Sequence, residues 1–68
     1  MDELIDKLNE WADRESARFW DLTRWSSGRA EVVLYDLDIF EDGYNKYEAE
    51  SVEDALFEAA STHEVANT

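Results

Sequence analysis

Asp36, Asp38, Glu41 and Asp42 crowd one short segment just ahead of Gly43. Oxygen donors at alternate positions, a central glycine and a closing glutamate are what a calcium loop requires. A loop starting at Asp38 puts Gly43 at the glycine position, but Phe40 falls third and Ala49 twelfth, where ligands are needed. A loop starting at Asp36 puts Glu41 where the glycine belongs. The segment therefore reads as a solvated acidic turn, and no metal is expected.

His63 is the sole histidine, and no serine or cysteine is placed to make a nucleophile pair with it, so it reads as a surface residue. Glu48 with Glu50, or Glu53 with Asp54, could in principle share acid and base roles. That chemistry needs a pocket with two different environments, and a chain this short has little volume for one. Gly28 and Gly43 stand alone, with no glycine-rich phosphate loop. The expectation is a protein that is not an enzyme, with no catalytic residues and no cofactor.

Eighteen acidic and six basic residues leave a formal charge of −12, while 44% of residues are hydrophobic and nine are aromatic. The chain can therefore collapse, yet its field repels nucleic acid and anionic membrane and attracts basic surfaces. Glu31, Asp36, Asp38, Glu41, Asp42, Glu48, Glu50, Glu53, Asp54 and Glu58 could make a nearly continuous negative surface. Closely spaced carboxylates can imitate a run of phosphates and take the same Lys/Arg contacts. The plainer account is a merely solubilising surface. With no cysteine, no long apolar run and an acidic start at Met1-Asp2-Glu3, a cytoplasmic protein is expected.

The elements that must position these groups follow from periodicity. Leu4, Ile5, Leu8, Trp11 and Ala12 fall at helical spacing from Asp2 onward. Phe19 to Trp25 could prolong that stripe, but its aromatic content favours a strand. Ser26-Ser27-Gly28-Arg29 then turns the chain into a second strand, Ala30 to Leu37. Asp42-Gly43 turns it again into a third, near Tyr44 to Glu50. Ser51 opens a last helix as its cap, with Val52, Ala55, Leu56, Ala59 and Ala60 as the apolar stripe. The fold class is α+β, a single α-β-β-β-α domain over 1–68 with a three-stranded antiparallel sheet packed on helices, and residues 62–68 are expected to fray.

If Trp20, Leu22, Val32, Leu34, Tyr47 and Ala49 face the helices, alternation sends Phe19, Thr23, Trp25, Val33 and Tyr35 to the other side. That side is either uncovered and aromatic, an arrangement that marks interfaces, or covered by one of the two helices. Trp11 and Trp20 are the core candidates. Trp25, beside the turn, is the candidate for exposure.

Leu22 to Arg29, then Val32 to Tyr35, then Tyr47 to Leu56 resemble the hairpin, strand and final helix of small acidic phage and prophage accessory proteins. The resemblance covers roughly residues 19–61. It implies the context of a phage inhibitor of the anti-CRISPR or DNA-mimic type acting in the host cytoplasm, and the charge adds a basic, nucleic-acid-binding host protein as partner, with no direct contact to nucleic acid or membrane. The partner-binding residues expected are Glu31, Asp36, Asp38, Glu41, Asp42, Glu48 and Glu50, with Trp25 and Tyr35. The competing expectation is an oligomerising structural module in which the aromatic strand face pairs two copies.

Overall fold

The computed structural model describes residues 2–62 and Val65. Helix α1 spans Asp2–Asp13, strands β1, β2 and β3 span Phe19–Arg24, Ala30–Tyr35 and Tyr44–Ala49, and helix α2 spans Val52–Ala60. The strands form one antiparallel sheet in the order β1-β2-β3, so the α+β arrangement α-β-β-β-α expected from periodicity is the observed one.

Each turn has a local cause. Trp25 and Arg29 close the first hairpin, Gly28 N–H donating to the Trp25 carbonyl at 3.0 Å, and Gly28 takes the positive φ of 98° that glycine adopts without steric cost. β2 ends at Tyr35, two residues before Leu37, because the Asp36 carboxylate accepts from Asp38 N–H at 2.9 Å and folds the chain out of the strand. The β2–β3 loop closes where Asp36 N–H donates to the Gly43 carbonyl at 3.0 Å. Gly43 has φ 86°, a backbone conformation that strains any residue with a Cβ; the Cβ would also press on the tip of the exposed Leu37 side chain, which can move aside. At α2 the Ser51 hydroxyl accepts from Asp54 N–H at 3.2 Å, the cap expected from the sequence, with Glu53 and Asp54 in the positive first turn.

Both helices lie on the same face of the sheet. Ala30, Val32 and Leu34 of the central strand pack with Leu8 and Trp11 of α1, with Ala55, Leu56, Ala59 and Ala60 of α2, and with Val65. Trp20, Leu22, Tyr47 and Ala49 border that cluster. The helices touch each other, α1 also touches β1, and α2 touches β2 and β3. This is the inward set that alternation predicts, and it resolves the choice between one covered face and two. Trp20 Nε1–H donates to Asn9 Oδ1 at 3.0 Å, tying β1 to α1.

Thr62 and Val65, expected among the frayed residues, are anchored. The Thr62 hydroxyl donates to the Ala59 carbonyl at 3.0 Å, Val65 N–H donates to the Thr62 carbonyl at 3.2 Å, and Val65 is buried. His63 and the rest of the expected frayed end, residues 64 and 66–68, lie outside the described residues.

Trp11 is the largest fully buried side chain. Trp11→Ala should cost about 3–5 kcal/mol, the usual range for truncating a buried aromatic, which is of the order of the whole stability of so short a chain. Ser51→Ala should cost about 1 kcal/mol. Urea denaturation followed by circular dichroism measures both.

Candidate functional site

With both helices on one side, the register divides the opposite face of the sheet into three cross-strand rows. Phe19, Tyr35 and Tyr44 align in the first, Asp21, Val33 and Lys46 in the second, and Thr23, Glu31 and Glu48 in the third. Val33 is buried even though no helix lies over it, so its flanking neighbours shield it. Arg29, in the first hairpin, forms an ion pair with Glu48 in which both side chains stay about half exposed.

The first row is an aromatic stack. Phe19 and Tyr35 lie with ring centroids 4.2 Å apart and planes within 8°, and Tyr44 is tilted at 45° with its centroid 6.2 Å from that of Tyr35. Phe19 is 57% and Tyr44 43% exposed. Lys46 Nζ lies 5.5 Å from the centre of the Tyr44 ring, so a cation already sits against this row. Tyr35 and Tyr44 directly flank the β2–β3 loop, where Asp38, Glu41 and Asp42 are exposed.

The partner-binding residues expected from the sequence thus separate. Tyr35 is the centre of the aromatic row, with Asp38, Glu41 and Asp42 in the loop beside it. Glu31 and Glu48 occupy the far row, and Glu50 is exposed just after β3. Trp25, 41% exposed, sits in the first hairpin turn. Glu53, Asp54 and Glu58 belong to α2, in the helical layer on the other side of the sheet. One continuous negative surface through all ten carboxylates is therefore not formed, because α2 carries three of them in the helical layer and Asp36 is buried.

Asp36 is a correction. It was expected on the acidic binding surface, but only 2% of it is exposed, and its Oδ2 accepts from Arg18 Nε at 2.6 Å. Burial by itself pushes the Asp36 carboxyl upward. The Arg18 hydrogen bond, the Asp38 amide, the Arg18 charge and the Ile39 amide outweigh it and hold the group below its ordinary value. Asp36 is a structural carboxylate, neutralised from within.

Arg18 was absent from the sequence reading, and so were Tyr44 and Lys46 as members of the outer face. The outer pair could have been found by carrying the Asp42-Gly43 turn through to its register, which places Tyr44 opposite Tyr35. Nothing local announces Arg18, whose partner is eighteen residues away. Among the described residues no group of three or more His, Cys, Asp or Glu side chains is placed to hold a metal ion. No helix there is long and apolar enough to cross a membrane.

Removing one partner of a buried ion pair leaves the other charge stranded, so Asp36→Asn should destabilise the fold by about 3–5 kcal/mol, whereas Arg29→Ala, at an exposed pair, should change stability by less than about 1 kcal/mol. The Asp36 carboxyl is lowered from 3.8 in the folded state. Its contribution is accordingly complete above that pH and fades as pH falls through the folded value. The stability gap between wild type and Asp36→Asn, measured by denaturation at pH 6 and again near pH 2.5, should narrow in acid. No family model, curated protein or solved structure matches the chain.

Proposed function

We propose that this chain is an acidic binding protein, not an enzyme, that blocks a basic, nucleic-acid-binding host protein, and that it is phage-encoded and acts in the host cytoplasm. The observation that carries the reading is the helix-free face of the sheet, where aromatic rings and carboxylates lie together on one rigid surface. Glu31 and Glu48 are register partners on neighbouring strands, so their Cα atoms are about 5 Å apart. Asp38, Glu41 and Asp42 add three exposed carboxylates from the loop at the other end of the face. Lys and Arg side chains that normally hold phosphates would accept such groups, and the net charge of −12 would steer the encounter.

A second reading has one observation in its favour. Exposed Phe19 and Tyr44, flanking Tyr35, could pair two copies of the chain face to face. Two bodies of charge −12 repel each other, which favours the basic partner over the self-pair.

The test is capture of basic proteins from a bacterial lysate on the immobilised chain at 50 mM and 500 mM salt, followed by competition with duplex DNA. The expected outcome is a nucleic-acid-binding protein that is released by salt and by DNA. Glu41→Lys with Asp42→Lys should slow association with that protein roughly tenfold at low salt. Salt also screens repulsion within the chain and should stabilise its fold, so release at high salt cannot be put down to unfolding. Capture that is indifferent to salt and DNA would remove the electrostatic reading. Sedimentation showing a dimer that dissociates in Tyr35→Ala would favour the self-pairing one.

A further inference from the structure

We infer that the aromatic row Phe19–Tyr35–Tyr44 is an arginine-receiving platform, so that the basic partner is held at this end of the sheet through arginine in preference to lysine. The inference rests on the reading above and adds to it the side chain that is recognised and the place where it docks.

Phe19 stacks on Tyr35 at 4.2 Å and is still more than half exposed, which leaves aromatic surface open to a second planar group. The face of an aromatic ring carries negative charge density, and guanidinium stacks on it flat, keeping its in-plane N–H groups for carboxylates. Those carboxylates are at hand. Asp38, Glu41 and Asp42 are exposed on the loop that joins Tyr35 directly to Tyr44, and the loop is held shut by the Asp36 to Gly43 hydrogen bond.

Lysine, a compact ammonium that keeps its hydration, can use the charge but not the flat stacking. The same combination is already realised inside the molecule. The Arg18 guanidinium carbon lies 5.1 Å from the centre of the Trp11 ring while its Nε donates to Asp36. On the outer face the rings are present and the carboxylates lie in the adjoining loop; Lys46 approaches Tyr44, and a guanidinium for the exposed Phe19 must come from elsewhere. Charge decides the occupant, because a net −12 disfavours a second copy and favours a cationic segment.

The test is calorimetric titration of the full chain, at 50 mM and 150 mM salt, with two unstructured peptides of equal length and charge, one carrying arginine and the other lysine. The variants are Phe19→Ala, Phe19→Leu, which keeps apolar bulk without a ring, and Asp38→Asn with Glu41→Gln and Asp42→Asn. Circular dichroism checks that each is folded. The expected result is a roughly two- to fivefold preference for the arginine peptide, the size of an exposed cation–π contact. Both Phe19 variants should lose that preference while keeping the salt-dependent binding common to the two peptides. The neutralised loop variant should weaken both peptides.

Equal affinity for the two peptides, unchanged by Phe19→Leu, would overturn the arginine platform while leaving a purely electrostatic binder. Failure of either peptide to bind at 50 mM salt would overturn both. A dimer that Phe19→Ala dissociates, with no arginine preference, would overturn the platform by assigning the face to a second copy.

Discussion

Arg18, just ahead of β1, ties the end of α1 to the point where β2 runs into its loop. Its Nε donates to the buried Asp36, its Nη1 donates at 3.3 Å to the Trp11 carbonyl in the last turn of α1, and its guanidinium lies over the Trp11 ring. A helix end leaves carbonyls without partners, and a cation there satisfies one of them. Burying Asp36 alone would cost more than the fold could bear, and Arg18 removes that cost. One side chain thereby links the last turn of α1 to the Asp36 carboxylate that turns the chain out of β2.

The packing of the helices decides what the molecule presents. α1 returns beside β1 on the same side of the sheet as α2, and the two helices close the core over Ala30, Val32 and Leu34. With both helices on one layer, no described helix covers the other sheet face, and most of its alternate residues are surface, Val33 excepted. Among them is the Phe19–Tyr35–Tyr44 row, whose rings cover one another in part and still expose much of their area. In a small domain the apolar groups needed for collapse and those available for recognition come from the same strands, separated only by the two-residue repeat.

The charge acts on a different scale. Most of the carboxylates are exposed, and in water their pairwise energies are small, so they contribute little to the fold and a great deal to the long-range field. Two carboxylates stand apart because they are paired with arginines. Asp36 is buried with Arg18 and serves the structure, while Glu48 meets Arg29 at the surface and stays available to solvent. The reading as a binder of basic proteins therefore draws chiefly on the exposed carboxylates of the β2–β3 loop, with Glu48 already shared with Arg29.

The sequence by itself determined the elements and their order. Helical spacing in α1, the glycine turns at Gly28 and Gly43, strand alternation and the Ser51 cap are all local signals, and each acts within a few residues of where it is written. Alternation also sorted the strand side chains correctly into two sets, while helical spacing put Trp11 inside and the turn put Trp25 at the surface. Only the tertiary structure decided which set would be covered, because both helices on one face and one helix on each satisfy the same periodicity. Only the tertiary structure could separate Asp36 from Asp38, two neighbours alike in composition. One meets Arg18 across eighteen residues and is buried, while the other meets water, and no local pattern encodes a contact that exists only once the chain has closed on itself.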